Sequence, residues 1–398
     1  MNLNAILKEV NSENIYKTII ELEGPKYPLD NLEALNEACD YIFDKLQNYG
    51  IKTEIHEFYV AGMDVPFKNV IGYVGDISNG ATLIGSHYDT VRDTPGANDN
   101  LSSVAVTLEI ARILGKLENP PAVVFGIFTL EEGHPGIAKA LEEKLIKNKL
   151  IDERFRPYNA SFLKQRKFIV KERRKRVRLG QKPVDACISI KNECTEQLTP
   201  DGLIYLNILI DVYTHFYSIS SEEKLEYPIG SYEFVEKMKS EKINIKQVIV
   251  YDCLGWIKED DYSQHPLPIN RFILQFAKRH KINLKKSKGN YIGVIGSKTS
   301  SKVFNAFLKN CKEIENDLPY LGVKIPLEFK DMKKKFPDML RSDHAAFWKE
   351  NIPGLFISDL ANFRSDFYHT PADTSEHLDY DALKKVAEVT LKTVLEEI

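Results

Sequence analysis

Apolar residues at Leu32, Leu35, Cys39, Phe43 and Leu46 recur at helical spacing, and the pattern stops at Gly50. Residues 51–60 then read as extended. A short apolar run at 82–86 leads into a turn-rich stretch and a helix with Val104, Leu108, Ala111 and Leu114 on one face. Residues 122–130 are continuously apolar and rich in β-branched and aromatic side chains, the pattern of a parallel strand covered on both faces. Further strands are predicted at 248–251, 292–295 and 355–357, and a closing helix carries Leu383, Val386, Thr390 and Val394. Strands alternating with helices imply an α/β sandwich.

Composition narrows the class. The 398 residues suggest two or three folding units, and 43% hydrophobic with 28% charged residues excludes a disordered or fibrous chain. A formal charge of −3 provides no global field for nucleic acid or an acidic membrane, so any basic surface is local. Lys8, Glu9, Glu13 and Lys17 interrupt any secretory apolar core near the start, and the most apolar stretch, 203–212, contains Asn207 and Asp211 and is too short to span a bilayer. Five cysteines, scattered and never in a CxxC pair, are expected to be reduced thiols in a cytoplasmic protein.

The chemistry lies where the strands end. In open α/β sheets ligands gather beyond the carboxyl ends of the strands. The run at 82–86 leads into His87-Tyr88-Asp89, the run at 122–130 into Glu131-Glu132, and the run at 248–251 into Asp252. A turn, Gly96-Ala97-Asn98-Asp99-Asn100, precedes a helix, and Tyr368-His369-Thr370-Pro371 lies near the C-terminus. Taken singly, each fragment is ordinary: a histidine ending a strand, paired glutamates at its exit, an aspartate capping a helix.

Together, GSHYDT, PGANDN, TLEEG, YDCLGW, RSDHAAF and FYHTPADT, in this order between residues 85 and 374, resemble the motifs of clan MH metallopeptidases, family 28, the co-catalytic dizinc aminopeptidases. The resemblance implies a three-layer α/β sandwich around a mixed, largely parallel sheet, as in zinc exopeptidases and phosphorylase-like hydrolases. It implies two zinc ions, with manganese or cobalt also suited to the donor set. His87 and Asp252 would serve the first ion, Glu132 and His369 the second, and Asp99 would bridge them. Asp89 would orient the His87 ring, and Glu131 would be the general base of a peptide hydrolysis in which the metals acidify water. Three carboxylate ligands against two dications leave one net positive charge to polarise a carbonyl. Peptides are the implied substrates, with no nucleic-acid or membrane partner; self-association stays open. Other activities on the same fold are a carboxypeptidase or amidohydrolase, a glutaminyl cyclase, or a binding protein without catalysis. The intact His87 and complete donor set argue against the last two.

Departures from the pattern matter equally. Some members carry a tyrosine three residues before Ser-Asp-His that helps hold the oxyanion; here it is Met339. Asp343 and His344 either support the site from behind or form a buried polar pair tying down a loop, Asp373 is expected to cap the loop behind His369, and Cys253 is expected in the core. The family usually continues directly from its Glu-Glu motif into a helix, whereas here residues 137–229 intervene before Gly230-Ser231-Tyr232-Glu233-Phe234. Residues 1–136 with 230–398 then make a discontinuous catalytic domain of about the size at which one core stops growing. The insert is expected to be a small α+β lid or oligomerisation subdomain, with strand-like alternation at Val184, Ala186, Ile188 and Ile190 and again over 204–212. It also holds a basic run, 164–178, with nine Lys/Arg and one Glu, read as a solvated face or, alternatively, a local anion or nucleic-acid contact.

Overall fold

The computed structural model describes residues 2–221, 224–225, 228–264 and 288–396. Within them eight strands form one sheet: β1 (Lys52–Phe58), β2 (Phe67–Val74), β3 (Ala81–His87), β4 (Val123–Phe128), β5 (Ile245–Tyr251), β6 (Ile292–Gly296), β7 (Tyr320–Lys324) and β8 (Gly354–Ser358). Their spatial order is β1-β2-β4-β3-β5-β8-β6-β7. The central four, β4, β3, β5 and β8, run parallel. β1 and β2 add an antiparallel edge, and β6 opposes β8 while running with β7. The mixed, largely parallel sheet expected from the sequence is therefore present.

The helices are α1 (Leu3–Leu7), α2 (Ser12–Leu22), α3 (Leu32–Asn48), α4 (Ser102–Leu114), α5 (Pro135–Lys147), α6 (Ala160–Arg178), α7 (Pro183–Glu193), α8 (Pro200–Ile219), α9 (Ile229–Glu241), α10 (Ser301–Asn310), α11 (Phe329–Lys335), α12 (His344–Lys349) and α13 (Tyr380–Leu395). Side chains alternate along each strand, so one strand feeds two cores. Ile84 and Phe125 pack with α2, α3, α4 and α13, whereas Leu83, Val124 and Phe128 pack with Phe234 of α9 and Phe347 of α12. Helices thus cover both faces. No helix among the described residues is long and apolar enough to cross a membrane.

Strand register brings the motifs level. His87 pairs beside Phe128, and Gly85 opposite Val250 sets His87 level with Asp252. Because β4, β3 and β5 are parallel neighbours, Glu131, Glu132, His87 and Asp252 leave the sheet along one edge.

The insert departs from expectation. The stretches at 184–190 and 204–212 are not strands but lie in α7 and α8, and the described part of 137–229 is helical with one isolated bridge between Ile151 and Pro157. Pro183 and Pro200 at the first helical positions, with the Thr199 hydroxyl capping Gly202 N–H, are start signals that outweigh a short alternation. The buried set Tyr205, Leu206, Leu209, Val212 and Phe216 follows helical spacing, which a run apolar on nearly all sides conceals. Helices α5 to α8 enclose a core of their own that includes Phe162, Ile169, Cys187, Leu206 and Phe216. This core meets the sheet domain at Gly136, where an added Cβ would lie 2.0 Å from the Ala61 carbonyl oxygen, and at Phe216, edge-on to His134 at 5.2 Å.

Candidate metal centre

Asp89 organises the floor of the site. One of its carboxylate oxygens accepts the Glu131 N–H at 3.1 Å and the other the Glu132 N–H, also at 3.1 Å. Its backbone carbonyl lies 3.2 Å from His87 Nδ1, which leaves Nε2 to face the cluster. The expected role of Asp89 toward His87 is thus met mainly through its backbone, while its carboxylate, 3.6 Å from the ring, fixes the two glutamates.

Asp373 does the same for the other strand of the site. Its carboxylate accepts the N–H groups of Asn98 and Asp99 at 3.0 and 3.1 Å. It therefore holds the turn carrying Asp99 rather than capping the loop behind His369. Asn100 and Asn98 tie that turn to the exit of β5: Asn100 donates to the Tyr251 carbonyl and accepts from Cys253 N–H, and Asn98 accepts from Gly255 N–H at 2.8 Å. Leu130, Cys253 and His369, each adjacent to or part of the cluster, hold positive φ of 57° to 59°. Such a conformation is costly for non-glycine residues and persists where surrounding bonds over-determine it.

All five sequence-predicted ligands and the proposed base come together. Asp99 faces both ways: its Oδ1 lies 3.5 Å from His87 Nε2 and its Oδ2 3.0 Å from His369 Nε2. Glu132 is 3.3 Å from His369 Nε2, and Glu131 is 3.8 Å from His87 Nε2. Ligand atoms of His87, Asp99 and Glu132 lie within 4.8 Å of one another, as do those of His87, Glu131 and Asp252.

The electrostatics suit a cation. Burial pushes the Glu131 carboxyl well above the usual range, with the neighbouring charges of Glu132 and Asp252 adding to it, and pushes Glu132 up to about 7. Burial opposes charge on His87, but the Glu131 and Asp89 carboxylates outweigh it and hold the ring's pKa high. Among the described residues neither Nε2 of His87 nor Nε2 of His369 makes a well-aligned hydrogen bond, although carboxylate oxygens lie 3.0 to 3.8 Å from them. Buried charges are stable only when paired or coordinated to metal, and imidazole with carboxylate oxygens is a zinc-type donor set. The residues present fit a zinc-type metal centre.

Three further placements refine the sequence reading. His344 Nε2 meets the Met339 carbonyl at 2.7 Å and its ring stacks on Phe356 at 4.2 Å, so this histidine ties down a loop. Asp343 is buried near His87, which places it behind the site, and its pKa is pushed up to about 7, chiefly by burial. Tyr368, stacked on His369 with centroids 3.8 Å apart, and Arg341 both line the cavity in front of the cluster. The motif pattern assigns neither of them a role. Arg341 immediately precedes the SDH motif and Tyr368 precedes His369, so adjacency to a motif was the only available signal. Cys253 is buried as expected, and all five cysteines are free.

An open α/β sheet with a buried imidazole and carboxylate cluster at the carboxyl edge of its parallel strands is an arrangement suited to holding metal. Residues 69–148 and 211–394 match peptidase family M28, and the chain belongs to that family. Its sequence is 21% identical over 391 residues to an uncharacterized Escherichia coli protein, YfbL, covering 96% of this chain and 87% of the relative. A 29% identity over 157 residues links it to a probable zinc metalloprotease of Pyrenophora tritici-repentis, covering about a third of each chain (33% and 32%). The fold is shared with the LapA aminopeptidase of Legionella pneumophila, with a TM-score of 0.58, 15% identity, and coverage of 99% of this chain and 74% of that one. It is shared equally with a glutaminyl cyclase of Porphyromonas gingivalis, with a TM-score of 0.53, 14% identity, and coverage of 98% and 99%.

Proposed function

We propose that the protein is a zinc-dependent aminopeptidase that removes N-terminal residues from peptides. The observation that carries this reading is the two-sided Asp99, whose carboxylate oxygens face His87 and His369 separately. Asp99 would contribute to both of two metal positions, with His87 and Asp252 completing one and Glu132 and His369 the other. Zinc held there would supply Lewis-acid polarisation of the scissile carbonyl and acidify water. Glu131 takes the proton from the attacking water and returns it to the leaving amine. Asp89 keeps Glu131 and Glu132 in register by holding their successive N–H groups, so that neighbouring carboxylates serve different tasks. Tyr368 carries the hydroxyl that takes over the oxyanion role, since Met339 has no donor side chain. Residues 137–229 form a subdomain that walls the cleft and limits peptide length, and the five free, buried cysteines favour a reducing compartment such as the cytoplasm.

A panel of aminoacyl, N-acetylated, C-terminally free and N-terminal glutaminyl peptides, assayed with zinc and paired with metal analysis, tests the reading. Cleavage restricted to free N-termini, with two metals per chain, is expected. Cleavage at the C-terminus, or cyclisation of the glutaminyl peptide with a single metal, overturns it.

A further inference from the structure

The metal cluster opens into a cavity of about 860 Å³, and the rest of that cavity's charged lining is nearly all of one sign. Arg174, Arg178, Lys182 and Lys224 come from the insert, and Lys333 and Arg341 from the sheet domain, with Asp338 as the acidic residue among them outside the cluster. A further arginine, Arg173, is engaged with the Tyr213 hydroxyl. Part of this charge is already balanced: Arg178 pairs with Asp338 at 3.0 Å and Lys224 with Glu233 at 2.6 Å. Among the described residues Arg174 forms no ion pair or hydrogen bond, whereas Arg341, whose charge burial opposes, is sustained by the neighbouring Tyr368, Glu131, Asp252 and Glu132 without a direct ion pair. The basic run of α6 is therefore divided. Arg176 is neutralised by Glu172 and Glu193 away from the cavity, while residues 173, 174, 177 and 178 turn one face towards it.

Cations spread over an exposed surface act weakly beyond a Debye length of about 8 Å at physiological salt. Lining a cleft with low-dielectric walls, they focus their field on whatever enters. Arg174 and Arg341 carry the planar fork that matches a carboxylate bidentately. The lining also includes Val177, Leu225, Met339, Phe356 and Leu360, which suit the aliphatic part of a side chain.

We propose that the cleft selects acidic peptides, holding Asp or Glu side chains near the substrate N-terminus against Arg174 and Arg341 while the scissile amide lies at the metal cluster. This deepens the aminopeptidase reading and rests on it.

The test compares Ala-Glu-Glu-Ala amide, Ala-Gln-Gln-Ala amide and Ala-Gln-Gln-Ala with a free carboxylate on the zinc-loaded enzyme. A kcat/KM for the Glu peptide at least ~10-fold above that of the Gln amide, equivalent to about 1.4 kcal/mol, is expected. The gap should narrow as NaCl is raised and approach unity in the double variant Arg174→Gln/Arg341→Gln. Equal rates for the Glu and Gln amides overturn the proposal, and so does an equal gain from the free carboxylate, which assigns the cations to peptide C-termini. Binding is read separately, by anisotropy of C-terminally labelled peptides on zinc-loaded Glu131→Gln. Tighter binding of the Glu peptide with no cleavage of any peptide by the wild type leaves the wall standing and sinks the aminopeptidase reading; cleavage of all peptides with equal binding does the reverse. Displacement of the Glu peptide by a single-stranded oligonucleotide at lower concentration than by the unlabelled peptide makes this a nucleic-acid face instead.

Discussion

The metal cradle and the insert wall face the same cavity but are built differently. In the cradle each chemical group is positioned by a second one: Asp89 holds Glu131 and Glu132, Asp373 holds Asp99, and the asparagines of the Asp99 turn lock it to the exit of β5. Reactive side chains there are buried and have little freedom. In the wall, Arg174 stands exposed on a helix that packs Phe162 and Ile169 into the insert core. Rigidity is concentrated where bonds are broken. Selection is left to longer, adaptable side chains, for which approximate placement suffices because Coulomb attraction falls off slowly with distance.

The sharpest way to break this contrast is at Glu131. Glu131→Gln keeps size but cannot take a proton, so kcat should fall by roughly 10² to 10⁴ while zinc content by atomic emission stays at the wild-type level. Glu132→Gln should instead lose metal, because an amide is a poorer ligand than a carboxylate. If the two variants fail alike, the division into base and ligand is wrong.

One layer further out, Asp89→Asn leaves every proposed ligand in place but replaces an acceptor of two N–H groups by a group with one acceptor oxygen. Outer partners of this kind are typically worth ~10 to 100-fold in metal affinity or activity. Zinc competition with a chromophoric chelator should show a loss in that range, and an unchanged affinity would remove Asp89 from the cradle.

The wall side is probed at Phe216, which is buried in the insert core beside His134 and Gly136. Phe216→Ala should destabilise the insert by about 3 to 5 kcal/mol, seen as an earlier transition in urea. Zinc affinity should hardly change; a matching loss of zinc would show that cradle and wall are one cooperative unit.

The smallest effect is expected from pH. Burial lowers the pKa of His134 to about 4, against an ordinary value of 6.5, and His134 Nδ1 accepts the Ile137 N–H at the start of α5. Between pH 6.5 and 4 the unfolded chain binds a proton that the folded one refuses, so stability falls as pH drops through this window and is fully present above it. His134→Asn retains a capping side chain and removes the titration, so Tm should decline less steeply from pH 6.5 to 4.5 than in the wild type. An unchanged slope would assign the acid sensitivity to other groups, such as His344, whose pKa burial also lowers to about 4.

Much of the cradle was legible in the chain because its chemistry is local. His87, Glu131, Glu132 and Asp252 each follow an apolar strand by a residue or a few, and parallel strands in one sheet must release such residues along one edge. Residue type and position relative to a strand end sufficed to nominate them, and motif order added Asp99 and His369. The insert was misread for an equally local reason. Over 204–212 apolar residues fill both the alternate positions of a strand and the face of a helix, and Pro200 with Thr199, at the start of α8, carried the deciding information.

What tertiary structure alone decided is which distant groups share a space. Asp373 lies 274 residues from the Asp99 N–H it accepts, and no spacing rule connects them. Arg174 and Arg341 belong to different units, and only the docking of α5 to α8 beside the cluster turns a basic run and an isolated arginine into two parts of one cavity lining. The sequence determined the alternation of elements and the donors at the strand ends, since both follow from periodicity within a few residues. The carboxylate pins and the sign of the cleft depend on packing between segments far apart in the chain, where the energy is set by burial and approach rather than by neighbours in sequence.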